Sequence, residues 1–334
     1  MTVGRTAYAA GRLTTKGAVL RGRMSAKLTR RQRKQAPALG VLRNADYAIR
    51  MDGERVLLSP TAFGLKGTGR LLARSRSDRR TLVCLAVSSD GTTKLDGVQV
   101  IFRASPYVEG NGHYSGRIAF SPDGKYLFFT NGERQKFDPA QDPKSTLGKV
   151  LRLNPDGTPA AGNPLAAKGF NPAIWSYGHR NLLGIAFDKD GRLWEQEMGP
   201  QGGDEVNLIK PGLNYGWPNA SNGSHYGGRD IPDHKAGDGY EAPKIWWNPS
   251  ISPGGLLYYS GDLFPQWKGS LFIGGLSGMA LIRVKLDGDK AEKAEQWDMG
   301  ERIREVEQGP EGALWLLEDG GKSPGRLLKL TPAG

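Results

Sequence analysis

WSYGHRNLLGIAFDKDGRLWEQEMGPQGGDEVNLIKPGLNYGW, residues 175–217, is the stretch from which the rest of the chain can be read. The apolar run LLGIAF (182–187) has the length of a buried strand. Lys189-Asp190-Gly191 after it is a hairpin signal, because Asp-Gly supplies the backbone conformation that a tight turn between twisted strands requires. A second strand then closes on Met198, Gly199 and Pro200. Two strand ends meet here. One is preceded by His179, Arg180 and Asn181, and the other is followed by a Gly-Pro whose carbonyls have no ladder partner ahead of them. That combination suits an anion and a hard cation side by side.

The same plan recurs along the chain. Segments starting at Ile118 (IAFSPDGKYLFFTNG), Ile185 (IAFDKDGRLWEQEMG) and Val306 (VEQGPEGALWLLEDG) each read as strand, acidic-Gly turn and aromatic-bearing strand. Each is followed by a further strand that closes on a turn, beginning at Gly148, Asp204 and Gly325, and a related pattern starts at Ser270. Asp123 and Asp190, in the first two turns, stand 67 residues apart, near the length of a four-stranded blade with long loops. An all-β fold of the β-propeller type follows. A β-sandwich would instead show turns about every 8–12 residues. From Leu82 onward there is room for about four blades, and residues 1–80 lack the pattern, so the first blades of a larger ring are atypical or incomplete.

Composition agrees. The chain of 334 residues carries 48 Gly and 21 Pro, as a fold of many short strands and turns requires. Cys84 is the only cysteine, which excludes an intramolecular disulfide and a cysteine zinc cage. The formal net charge of +12 is unevenly placed: residues 1–80 hold 19 Lys+Arg against 4 Asp+Glu, whereas the remainder is slightly acidic. The chain therefore divides into a basic, atypical, poorly ordered segment at 1–80 and a β domain at 81–334. No aromatic residues interleave the basic runs, so nucleic acid is not an expected partner. Charged residues interrupt the opening stretch before an export-type apolar region forms.

Candidate chemistry is carried by few residues. The four histidines, His113, His179, His225 and His234, form no HExxH pattern, which argues against a zinc enzyme of that kind. His113, on the loop GNGHYSGR (110–117) ahead of a strand, can serve as a base near neutral pH or as a hydrogen-bonded structural residue. Arg302 and Arg304 alternate, so on a strand they share a face; either an anion lies between them or they pair with Glu301 and Glu305. Gly199 and Pro200, followed by Gln201-Gly202-Gly203-Asp204-Glu205, offer carbonyls and carboxylates of the kind calcium prefers.

Taken in order, GNGHYSGR, WSYGHRNLLGIAFD, EMGPQGGDEVN, NYGWP, WNPSISPGG and GERIREV resemble the soluble quinoprotein sugar dehydrogenases of the glucose/sorbosone dehydrogenase family, aldose dehydrogenase branch. The resemblance covers about Leu82 to Pro332 and implies a six-bladed β-propeller holding pyrroloquinoline quinone (PQQ) and Ca2+. By that resemblance His113 is the catalytic base and Arg180 lies near the quinone oxygens. Asn181, Arg302 and Arg304 bind the cofactor, the two arginines at its carboxylates. The carbonyls of Gly199 and Pro200 hold the active-site calcium, and Glu205 and Tyr215 belong to a second, structural one. An aldose substrate, a soluble or membrane electron acceptor and a periplasmic location are implied likewise. The chain departs from the glucose-type pattern at Ser277, where a cofactor-binding lysine is expected, and in the opening blades. Two other readings stand beside this one: a propeller that binds a carbohydrate or protein partner without redox chemistry, and a defective member with a non-native N-terminus.

Overall fold

The computed structural model describes residues 96–320 and 325–332, with side chains from residue 100, and before them only the backbone of six short strands. Apart from three single-turn helical segments, all regular structure among the described residues is β. The first six strands are β1 (Arg12–Thr14), β2 (Gly17–Leu20), β3 (Tyr47–Asp52), β4 (Arg55–Pro60), β5 (Gly69–Ala73) and β6 (Leu82–Ser88). With β7 (Asp96–Arg103) they form one sheet of β1–β4 and another of β5–β7. The expectation of poor order at 1–80 otherwise lies outside the described residues.

Four further antiparallel sheets follow in chain order. The first contains β8 (Ser115–Phe120), β9 (Leu127–Asn131), β10 (Lys149–Leu153) and β11 (Ile174–Tyr177). The second contains β12 (Leu182–Phe187), β13 (Leu193–Glu197), β15 (Asp204–Ile209) and β17 (Ile245–Trp247), with the small pair β14 (Gln201–Gly202) and β16 (Gly223–Ser224) at its margin. The third is β18 (Pro253–Tyr258), β19 (Leu271–Gly275), β20 (Ala280–Asp287) and β21 (Lys290–Asp298). The last is β22 (Ile303–Gln308), β23 (Leu314–Glu318) and β24 (Leu327–Leu330).

The repeated sequence plan is realised as strands one to three of these sheets. In the central hairpin the turn at Asp188–Arg192 is tied by the Asp188 carboxylate, which accepts the amides of Asp190 and Arg192 at 2.9 Å each, while Gly191 takes φ +78°. The second strand leaves the ladder at Glu197, ahead of the expected Gly-Pro, and Met198 N–H still reaches Asn181 O at 3.0 Å.

Consecutive sheets pack face to face through their middle strands, which explains why β9, β13 and β19 are buried along their whole length. Phe128 and Val150 meet Leu182, Ile185 and Leu193 between the first and second of these four sheets. Trp194, Val206 and Leu208 meet Leu271, Ile273 and Ile282 between the second and third. Phe272 and Leu281 meet Ile303, Val306 and Leu316 between the third and last. Trp194 is fully buried and its indole N–H donates to Asp188 at 3.0 Å, so one core residue also braces the hairpin turn. The outermost strand β21 (KAEKAEQWD) is exposed and charged, a composition that discourages edge pairing.

Candidate active site

The first strands of the four sheets pack in succession, β8 on β12, β12 on β18 and β18 on β22. Arg117 of β8 donates to Glu305 of β22 at 2.7 Å, joining the first and last of them. The expected site residues stand where these strands begin: His113 ahead of β8, Arg180 and Asn181 ahead of β12, and Arg302 ahead of β22, with Arg304 just inside it. The segment Ser250–Ser252 holds the equivalent place ahead of β18. Polar groups from four sheets thus gather because strand starts, where ladder bonds give out, are presented on one side.

His113 lies in the left-handed region at φ 47°, with Ser115 at φ 52°, and such strain persists only where surroundings enforce it. Two contacts enforce it. The His113 Nδ1 makes a short contact with the fully buried Glu133, and a Cβ on Gly132 would meet His113 O at 2.1 Å, so only glycine permits this approach. Glu133 is itself fixed by the amides of Lys136 (2.5 Å) and Phe137 (2.7 Å), which leaves His113 Nε2 as the imidazole's remaining functional nitrogen.

Arg180 is nearly buried and centres the site. Its carbonyl accepts Glu133 N–H at 2.9 Å, and its Nη1 donates to Met198 O at 2.8 Å and Gly199 O at 2.6 Å. The Trp217 ring lies 5.1 Å and the Tyr226 ring 5.7 Å from its guanidinium carbon. Its Nε–H is buried with no acceptor, a donor that an anionic or carbonyl-bearing ligand would satisfy. Asn181 Oδ1 accepts the Ser115 hydroxyl at 3.3 Å, so His113, Arg180, Asn181 and Gly199 form one constellation. Glu197 orients it from below, accepting the amides of Arg180 at 2.6 Å and Asn181 at 3.2 Å.

Gly199 and Pro200 are buried at the turn. A Cβ on Gly199 would meet Gly202 O and Gly203 O at 2.3–2.4 Å, so the turn is a backbone cradle rich in carbonyl oxygens, as a hard cation needs. Asp204 locks it. One of its oxygens accepts Gly199 N–H at 2.9 Å, and the other accepts the Ser250 hydroxyl (2.5 Å) and the amides of Ile251 (2.7 Å) and Ser252 (2.8 Å). Burial raises the Asp204 carboxyl above the usual range despite these donors. Ser277 donates to Ser250 O at 3.0 Å, so where a lysine was expected the chain has a brace for this loop.

Arg302 and Arg304 share a carboxylate, that of Asp319, at 3.5 and 2.5 Å. Asp319 is partly buried, which pushes its carboxyl up, but Arg304 and then Arg302 outweigh this and hold it low. Two guanidinium groups against one carboxylate leave the cluster net positive. Together with Arg180 this donor set fits a planar ligand bearing several carboxylates.

Glu205 and Tyr215 lie deeper. The Tyr215 hydroxyl donates to Leu208 O at 2.7 Å and accepts Lys210 N–H at 2.8 Å. Burial pushes Glu195 and Glu205 well above the usual carboxyl range; it acts on Glu197 too, but His179, a hydrogen bond with Glu205 and the Arg180 amide together hold Glu197 low.

Sequence reasoning missed Glu133, Asp204 as the loop anchor, and Asp319, because each acts across 15–48 residues of chain with no local spacing to betray it. Glu195 and Glu197 did have a signal: they alternate on a strand and therefore share a face.

A strand-start site with a histidine–carboxylate pair, an arginine centre and a second arginine clamp can move a proton beside a bound anion. The family model for glucose/sorbosone dehydrogenases matches residues 70–329, and the chain belongs to that family. It is 40% identical over 251 residues to the aldose sugar dehydrogenase YliI of Escherichia coli K12, covering 73% of this chain and 67% of that one. It is 28% identical to quinoprotein glucose dehydrogenase B of Acinetobacter calcoaceticus, covering 66% of this chain and 64% of that one. Among solved structures, the apo form of the E. coli aldose sugar dehydrogenase superposes with TM-score 0.72 at 31% identity, covering 97% of this chain and 95% of that one. The PQQ-bound aldose sugar dehydrogenase of Streptomyces coelicolor superposes with TM-score 0.61 at 29% identity, covering 94% and 90%.

Proposed function

We propose that the protein is a six-bladed β-propeller that oxidises an aldose to its lactone with PQQ and calcium. The observation that carries this reading is the His113–Glu133 pair set beside Arg180, whose buried Nε–H awaits an acceptor. Family membership and the PQQ-bound relative support the cofactor. The carbonyl oxygens of Gly202 and Gly203 packed against Gly199 support an oxygen-rich turn of the kind calcium takes.

When bound, PQQ supplies a two-electron acceptor for the sugar's hydride, and calcium a Lewis acid that polarises it. His113 Nε2 takes the proton of the anomeric hydroxyl, and Glu133 stabilises the imidazolium through Nδ1. Arg180 would hold the acceptor end of the cofactor, Asn181 would complete that contact, and Arg302 and Arg304 would anchor its carboxylates. By family resemblance a soluble or membrane carrier would take up the electrons, and the location would be the periplasm.

The test is reconstitution of purified protein with PQQ and calcium, followed by dye reduction with a panel of aldoses. Turnover that disappears with chelator and returns with calcium is expected. His113→Ala abolishes turnover while PQQ still binds. A folded protein that binds no PQQ overturns the reading.

A further inference from the structure

The loop that carries His113 has no regular structure of its own. Residues 104–114 join β7 to β8 outside any strand ladder, and Gly110, His113, Ser115 and Gly116 all have positive φ. Such a segment samples many conformations unless something outside it sets one. Glu133 fixes the imidazole, but a contact to a ring nitrogen does not fix the main chain behind it.

The main chain is held by the residue after Glu133. Arg134 Nε donates to Gly112 O at 3.0 Å and its Nη2 to Gly110 O at 2.6 Å, so one planar fork grips two carbonyls just ahead of His113. Its guanidinium carbon lies 3.9 Å from the centre of the Tyr114 ring, the residue just after His113. The Tyr114 hydroxyl closes the grip by donating to the same Gly110 O at 2.9 Å. Close packing adds to it, since a Cβ on Gly112 would meet the Gln135 side chain at 2.4–2.6 Å.

Two observations separate this grip from ordinary surface packing. Arg134 is 2% exposed whereas residues 135–138 directly after it are exposed, so its side chain is drawn inward from an outer segment. A buried guanidinium is costly unless its donors are met, and here carbonyls and a ring face meet them. Arg134 and Gln135 also take φ 63° and 59°, left-handed values that persist only where neighbours enforce them.

We propose that Arg134 is a positioning residue for His113: its fork sets the main chain of residues 110–114 and thereby the direction of the imidazole. Adjacent residues divide the task, Glu133 holding the ring and Arg134 the loop. Arg134 grips this loop and not Arg180, Arg302 or Arg304, so its loss acts on turnover rather than on cofactor affinity. That catalytic consequence rests on the reading of His113 as the base; the grip on the loop does not.

The experiment compares full-length wild type with Arg134→Ala and Arg134→Lys. Diethyl pyrocarbonate acylates imidazoles, and the rate at each histidine is read by peptide mass spectrometry without PQQ or sugar. The His113 side chain is 11% exposed, and Arg134→Ala is expected to speed its acylation at least fivefold while His225, on another loop, keeps its rate. With PQQ and calcium added, turnover per bound PQQ is expected to fall about 10²-fold, as for a misplaced catalytic group, with KM and PQQ affinity within about twofold of wild type. Lysine keeps the charge but not the fork, so Arg134→Lys is expected to lie between wild type and Arg134→Ala in both measurements. An unchanged His113 acylation rate overturns the proposal, and so does turnover per PQQ equal to that of an active wild type. If the wild type binds no PQQ or oxidises no aldose, the reading of function fails while the acylation rates still decide on Arg134. Should Arg134→Ala fail to fold, Arg134→Lys decides alone: faster acylation of His113 supports the grip, and an unchanged rate overturns it.

Discussion

Replacing Asp204 by Asn tests whether one buried carboxylate holds two parts of the site together. The carboxylate accepts four hydrogen bonds, one from Gly199 and three from residues 250–252, at 2.5–2.9 Å. An asparagine can turn its carbonyl to only one side. If it serves the three donors, its amide faces Gly199 N–H, a buried donor–donor pair costing about 1–3 kcal/mol. The three remaining bonds pass from charge-assisted to neutral, about 1 kcal/mol each. Relief from burying a charge, visible in the raised Asp204 carboxyl, offsets part of this. A net loss of about 3 kcal/mol is expected, against about 1 kcal/mol for Ser250→Ala, which removes a single donor. Urea unfolding of wild type and both variants at fixed calcium reads the midpoint at constant slope. If Asp204→Asn falls within about 0.5 kcal/mol of wild type, the carboxylate is not the anchor described.

Glu133→Gln places a side-chain amide against the amides of Lys136 and Phe137 and removes the charge beside His113; turnover in dye reduction is expected to fall about 10²-fold or more, with PQQ affinity little changed. Gly132→Ala drives a methyl into the His113 carbonyl, and should cost both stability and turnover, checked by melting and steady-state kinetics. Burial pushes the Lys149 ammonium down to about 7 from 10.5. Between these values the unfolded chain holds a proton that the folded chain has released, so stability should rise with pH across that window. The Lys149→Met variant should lose that slope in unfolding measured at a series of pH values.

The hairpin register was legible because its signals are local: the Asp-Gly turn, the apolar run of β12 and the recurrence of the same plan at β8–β9 and β22–β23. The placement of His113 and Arg180 ahead of strands was legible for the same reason, whereas Arg302, expected on a strand with Arg304, stands one residue ahead of β22. The sharing of Asp319 by Arg302 and Arg304 was not, since the expected partners were a bound anion or the adjacent glutamates and the actual carboxylate lies on the far side of the β22–β23 hairpin. Likewise Ser277 seemed in sequence only a missing charge; its hydroxyl bond to Ser250 depends on how two loops of the third of the four later sheets fold back on each other. Residues linked through a turn can be read from spacing, whereas residues linked through sheet packing require the packing.

The Arg117–Glu305 bridge joins groups 188 residues apart in the chain. A hairpin such as β12–β13 can form from contacts a few residues apart, but this bridge cannot exist until the intervening sheets have docked. A fragment ending before β22 would keep several native hairpins together with His113, Arg180 and Asn181, yet would lack this bridge and the Arg302–Arg304 clamp. Such fragments should regain function only by recombining with the missing sheet, so split halves of this chain could report on whether two tethered proteins have met.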